Sequence, residues 1–155
     1  MSAASRQPEA VNIRPVAPAD RERWLPLWVG YNRFYEREPA HAVTAITWSR
    51  FFDTNEPVHA LVAEHDGALV GLVHYLFHRS TSMIGLNCYL QDLFTVAESR
   101  GHGVGRALIE GVCERAKEAG AERVYWQTHE TNATAMKLYD NVAERSGFIV
   151  YRKAL

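Results

Sequence analysis

The 155-residue sequence predicts a mixed α/β fold, and three observations carry that reading. Asp66-Gly67 joins two apolar runs, Val58–His65 and Ala68–His78, which is the strongest short-range signal for a β-hairpin. Apolar residues recur at steps of three and four in separate stretches before and after that hairpin, the period of a helix with one buried face. Between them, the apolar run Tyr89–Val96 leads into Arg100-Gly101-His102-Gly103-Val104-Gly105-Arg106, a glycine-rich turn that opens a further helical pattern.

In chain order, Val11–Val16 alternates like a short strand, and Pro15 assigns it to a sheet edge. Pro18 and Asp20 favour a helix start. Trp24, Leu27, Trp28, Tyr31 and Tyr35 then mark a helix, with Pro26 expected to split or kink it. A second helix is expected from Thr44, acting as N-cap, through Ile46, Trp48, Phe51 and Phe52. The hairpin follows, then a loop over Arg79–Asn87 and a central strand, Cys88–Val96. Val104, Leu108, Val112, Ala116 and Ala119 line one face of the next helix, which ends at Gly120. Arg123–Thr128 reads as a strand, Asn132 to about Arg145 as a helix, and Phe148–Arg152 as a last strand.

Composition bounds the function. Nearly half the residues are apolar (47%), enough for one domain with a substantial core, taken to run from residue 11 to 155 behind a frayed, disordered Met1–Ala10. A formal net charge of −1 supplies no electrostatic reason to expect nucleic acid or a membrane as partner. Cys88 and Cys113 lack metal-type spacing and fit free thiols in a reducing cytoplasm. The histidines are scattered without paired ligand spacing, so no metal site is indicated.

A strand feeding a glycine turn at a helix N-terminus makes an anion pocket, because unpaired N–H groups and the positive end of the helix dipole converge there. A nucleotide P-loop is excluded, since Arg106-Ala107 stand where Lys and Ser/Thr would be. A dinucleotide fingerprint fails as well, with Arg106 or Leu108 at the third glycine position. Arg-x-x-Gly-x-Gly remains, read as Arg100, Gly103 and Gly105. This resembles the pyrophosphate loop of the GNAT N-acetyltransferases.

The resemblance extends through the element order β-α-α-β-β-β-α-β-α-β, the segments Val70–Phe77 and Tyr89–Phe94, and Asn132–Tyr139. Within the superfamily it is closest to the diamine and polyamine (spermidine/spermine, thialysine) branch. It implies a GNAT fold with a mixed, mostly antiparallel central sheet flanked by helices, acetyl-coenzyme A as co-substrate, and a homodimer. By resemblance, backbone amides of Arg100, Gly101, His102, Gly103, Val104, Gly105 and Arg106 wrap the diphosphate. Leu93, Phe94 and Thr95 face the pantetheine arm and thioester where the central strand splays.

The same resemblance makes Tyr139 the acid that protonates the departing thiolate and Asn132 a grip on the cofactor arm. Their spacing puts both on nearly one helix face. The plainer reading makes Tyr139 a half-buried core aromatic and Asn132 an N-cap. For the general base, Gln91 stands where the polyamine branch has an acid, and an amide takes no proton at neutral pH. Asp92 is the first choice, with His74, His129, Glu130 and Glu36 as replacements. For the acceptor, Tyr31, Phe34, Tyr35, Glu36 and Glu38 set aromatic rings beside carboxylates, a combination suited to an amine cation; Gln91 and Asp92 complete the expected substrate contacts. Three functions follow: N-acetylation of a small primary amine, acetylation of a protein or peptide lysine, or an acyl-coenzyme A-binding module whose catalysis has lapsed.

Overall fold

A computed structural model describes residues 10–155; apart from Ala10, the expected frayed N-terminus lies outside the described residues. Five strands form one sheet: β1 (Asn12–Pro15), β2 (Val58–His65), β3 (Ala68–His78), β4 (Leu86–Thr95) and β5 (Ala121–Tyr125), side by side in chain order. All neighbours are antiparallel except β4 and β5, which run parallel. Around the sheet lie α1 (Arg21–Phe34), α2 (His41–Arg50), α3 (Val104–Glu118) and α4 (Ala133–Val142). None of the described helices is long and apolar enough to cross a membrane.

The local causes are legible. Asp66 (φ 49°) and Gly67 (φ 76°) both take the left-handed conformation that a tight two-residue hairpin demands, and β1 is indeed an edge strand. Pro26 does not interrupt α1. It lies on the exposed face, as does Glu22, the residue whose carbonyl is left without its helical donor. Helix α2 starts at His41 behind Ala40, three residues before the expected start. Thr44 is not its cap; its Oγ1 accepts a hydrogen bond from Trp28 Nε1 at 3.1 Å.

Two cores sandwich the sheet. On one face, Trp24, Leu27, Trp28, Tyr31 and Trp48 from α1 and α2 pack on Val62, Leu69 and Leu72. On the other, Val104, Leu108, Ile109 and Val112 of α3 pack on Leu61, Val73, Tyr75, Cys88 and Leu90. Gly71 brings α3 close, since a Cβ there would meet Leu108, Val104 and the Phe94 carbonyl at 3.0 Å.

The C-terminal strand expected over Phe148–Arg152 is absent. Residues 143–155 form neither helix nor strand, because the chain leaves α4 through extended Ala143 (φ −153°, ψ 179°) and never meets a sheet edge. The expected helix to Arg145 ends at Val142, and the strand expected to Thr128 ends at Tyr125.

Candidate active site

Alternation along β4 puts Cys88 and Leu90 on the α3 face of the sheet, and a regular strand would put residue 92 there too. It does not, because the pairing slips. His74 pairs with Asp92, Tyr75 with Leu90, and Gln91 is left over as a β-bulge. The extra residue turns Asp92 and Phe94 to the opposite face, toward α1 and α2, and returns Leu93 to the α3 side. No composition or spacing signal announces that bulge.

Asp92 thereby meets His74, whose Nδ1 lies 2.9 Å from Asp92 Oδ2. His74 is 2% exposed and ringed by Trp24, Trp28 and Phe51 at centroid distances of 5.9, 5.4 and 4.8 Å. Trp24 Nε1 lies 3.1 Å from His74 Nε2. An indole N–H can only donate, so Nε2 accepts and the imidazole proton sits on Nδ1, where it donates to the carboxylate. His74 is thus built in as a support for Asp92, not as a free base. Tyr31 stands against the same carboxylate, and burial first, then the Asp92 charge, push its phenol far above the ordinary value.

A pocket of about 310 Å³ opens over this pair, lined by Trp28, Arg37, Arg50, Gln91, Asp92 and neighbouring side chains. Its charge differs from the sequence expectation. Glu36 has left-handed backbone (φ 54°), is exposed and does not line this cavity. Arg37 does, with its guanidinium 5.4 Å from the Tyr31 ring centroid and 5.1 Å from that of Tyr35. The aromatic seat expected for a substrate cation is therefore filled by a cation of the protein itself. Sequence reasoning missed Arg37, although it directly follows the Tyr35-Glu36 pair. His129 and Glu130 lie outside this cavity too; His129 bonds Thr131 at 2.7 Å.

Across the sheet, pairing between β4 and β5 stops at Tyr89 and Tyr125, yet β4 continues to Thr95. From Leu90 onward its β5-facing edge carries peptide groups without strand partners, the splay expected beside Leu93, Phe94 and Thr95. Beyond β4 the chain turns through Ala97–Ser99 to the glycine loop. Arg100 Nε donates to the Thr95 carbonyl at 3.1 Å, so this side chain braces the loop base. Gly101 and Gly103 both have φ of 80°, with open space where a Cβ would be. Gly103 caps the 15-residue α3, whose first amides open toward solvent beside exposed His102 and Arg106. Val104 is buried beneath the turn, and Gly105 faces Leu138 of α4.

Helix α4 supplies the last two predicted residues. Tyr139 is half-buried, packed edge-on to Trp126 with centroids 5.6 Å apart. Burial, helped by nearby Tyr35, pushes its hydroxyl up to about 12. Asn132 occupies the N-cap position but its side chain caps nothing; Nδ2 donates instead to Thr128 Oγ1 at 3.2 Å. The glycine loop, the unpaired edge of β4 and the Tyr139 phenol lie on elements packed together, Gly105 facing Leu138 of α4 and Leu93 sharing a core with Tyr139, while the Asp92 carboxylate lines its own pocket. Open helix amides at a glycine turn, unpaired strand peptides, a phenol that keeps its proton and a buried carboxylate are groups that acyl transfer can use.

Comparison with known proteins defines the class more closely. The sequence profile of the Acetyltransferase (GNAT) family matches residues 21–143, and the chain belongs to that family. It is 32% identical over 147 residues to the D-amino-acid N-acetyltransferase of Saccharomyces cerevisiae, covering 94% of this chain and 91% of that one. The thialysine N-epsilon-acetyltransferase of Mus musculus is 29% identical over 116 residues, covering 65% and 66%. An aminoglycoside N-acetyltransferase, AAC(6')-Iy, solved in complex with CoA, shares the fold with a TM-score of 0.81 at 17% identity, covering 98% of this chain and 99% of that one. The protein is an acetyl-coenzyme A-dependent N-acetyltransferase, as the resemblance in the glycine loop implies.

Proposed function

We propose that the protein acetylates the amine of a small amino acid or a lysine-like molecule, a primary amine that also carries a carboxylate. The observation that carries this reading is the pocket over Asp92, whose lining holds that one carboxylate together with two arginines, Arg37, which has no carboxylate partner among the described residues, and Arg50, which also lies 3.7 Å from Glu56. An amine complements Asp92 and a carboxylate complements the arginines. A polyamine would instead bring a second cation against them. The relatives acting on D-amino acids and on thialysine support the same class.

In this reading the amides of the Arg100–Arg106 loop and the α3 N-terminus hold the diphosphate, and Asn132 grips the pantetheine arm. Acetyl-coenzyme A supplies the activated acetyl group. Amides beside Leu93 and Phe94 polarise the thioester carbonyl as negative charge develops. Asp92, oriented by His74, takes the proton from the ammonium so that the neutral nitrogen can attack, and Tyr139 gives its proton to the departing sulfur. Unpaired Cys88 and Cys113 suit the reducing cytoplasm, and we read the working form as a homodimer.

The test is coenzyme A release from acetyl-coenzyme A, scanned over D- and L-amino acids, lysine, thialysine, putrescine, spermidine and a lysine peptide. Turnover with the amino acids well above that with the diamines is expected. Preference for spermidine or for the peptide would overturn this substrate class.

A further inference from the structure

Two phenol rings lie beside the acceptor pocket and take no part in the steps above. Tyr89 of β4 and Tyr125 of β5 pair across the parallel strands and stack with centroids 5.0 Å apart and planes 24° apart. Tyr125 is 38% exposed and Tyr89 is half-buried. Neither belongs to the core on either face of the sheet, so core packing does not account for the pair.

Both rings are locked in place. The Arg79 carbonyl lies 2.8 Å from His78 Nδ1 and can only accept, so that nitrogen carries the proton of the neutral imidazole. Its Nε2 then accepts from the Tyr125 hydroxyl at 2.7 Å, and the imidazole stands edge-on to the same ring with centroids 5.7 Å apart. On the other side, Gln127 Nε2 donates to the Tyr89 hydroxyl at 2.6 Å. A surface tyrosine ordinarily turns through its rotamers. These two are held as one flat shelf, so little side-chain entropy remains to be lost when something binds on it.

The shelf continues the pocket over Asp92. His74, Leu76 and His78 alternate onto one face of β3; His74 and Leu76 line that pocket, and Leu76 pairs with Tyr89. Gln91, the bulge residue between Tyr89 and Asp92, lines it as well. One two-residue step along a strand, about 7 Å, therefore separates the row of His74 and Asp92 from the row of Leu76 and Tyr89. Arg123 stands two residues before Tyr125 on the same face of β5. Its charge disfavours a second cation on the rings and leaves a neutral, flat group as the better fit.

We propose that the Tyr89–Tyr125 shelf seats the side chain of the acceptor and selects an aromatic one, so that the enzyme prefers phenylalanine to alanine. The inference rests on the amino-acid reading above and names the side chain that reading leaves open. With the amine at Asp92 and the carboxylate toward Arg37, the acceptor's ring lies along the sheet past Leu76 and stacks on the shelf.

Initial rates of coenzyme A release with phenylalanine, alanine and lysine, each as D and L forms, test it. In the form turned over faster, kcat/KM for phenylalanine should exceed that for alanine by at least about tenfold. Equal values, or a preference for lysine over phenylalanine, would overturn the shelf while leaving the amino-acid reading standing. No turnover of any amino acid would overturn both. Tyr125→Ala should bring the phenylalanine-to-alanine ratio to within about threefold of unity. Tyr125→Phe keeps the ring and loses only the bond to His78; it should hold the ratio within about twofold of wild type. A ratio unmoved in Tyr125→Ala would overturn the shelf. A change of molar mass by light scattering in that variant would show the rings to be covered by a second copy, and would overturn it too.

Discussion

His74 Nδ1 donates to Asp92 Oδ2 across 2.9 Å, and the other ring nitrogen of His74 is occupied by Trp24. The histidine is therefore fixed at both ends and shields one oxygen of the carboxylate that, among the described residues, lines the pocket. If Asp92 is the base, Asp92→Asn should lower kcat by about 100-fold while coenzyme A affinity stays within about twofold. His74→Phe keeps the ring volume and loses the bond; it should cost roughly tenfold in kcat. Steady-state kinetics with titration calorimetry check both, and a fully active Asp92→Asn would remove Asp92 from the base role.

Tyr139 is held protonated by its surroundings, with a pKa pushed from the ordinary value of 10.0 up to about 12. A raised phenol keeps its proton across the working range, as an acid must. Tyr139→Phe should lower kcat by about 100-fold with little change in cofactor affinity. The alkaline limb of the wild-type pH profile should show no step from this group below about pH 11; a bend near pH 10 that Tyr139→Phe removes would overturn the raised value, and full kcat in Tyr139→Phe would remove it from the acid role.

The glycine loop proposed to hold the diphosphate would act through its backbone, so bulk and charge are the means of breaking it. Gly103→Glu places a side chain at φ 80° and an anion at the helix N-terminus, and Gly105→Glu drives into Leu138. Each should weaken coenzyme A binding by at least about 100-fold. Unchanged affinity by calorimetry in either variant would count heavily against the loop as the diphosphate site.

Arg37 has no carboxylate partner among the described residues and rests on Tyr31 and Tyr35. Arg37→Ala should raise KM for an amino acid by about tenfold and leave KM for a carboxylate-free amine nearly unchanged. Equal effects on the two acceptors would mean that Arg37 only packs.

Asp20 is a stability element away from the chemistry. It is buried, accepts two hydrogen bonds from Arg14 at 2.7 and 2.9 Å, one from Arg23 at 2.7 Å and one from the Ala17 amide. The Arg14 guanidinium first, with Arg23 and the amide behind it, holds its carboxyl well below the usual range. Because the folded value lies below the unfolded one, near 3.9, this stabilisation is complete above about pH 5. It is lost progressively as pH falls toward the folded value. Asp20→Asn should destabilise by about 3 kcal/mol at neutral pH and much less near pH 2. Urea unfolding at both pH values checks the sign.

Much of this architecture can be read from local chemistry. The hairpin follows from Asp66-Gly67, the amphipathic helices from their period, and the anion cradle from glycines placed between a strand and a helix. What escaped is set by relations between strands. The Gln91 bulge exists only in the pairing of β4 with β3, and without it Asp92 would point at α3. Arg37 escaped because a flexible cation says nothing in sequence about which ring it covers. The last strand was expected from β-propensity alone, which reports that a segment can pair but not with what.

The bond from Trp24 to His74 has a practical consequence. Trp28 stacks on Trp24 at 5.8 Å and Trp48 lies tilted against it at 4.9 Å, and the central indole is wired through one imidazole to the carboxylate lining the pocket. Emission from these three indoles is therefore an optical gauge of the pocket over Asp92, while Trp126, packed edge-on to Tyr139, reports separately from the α4 side.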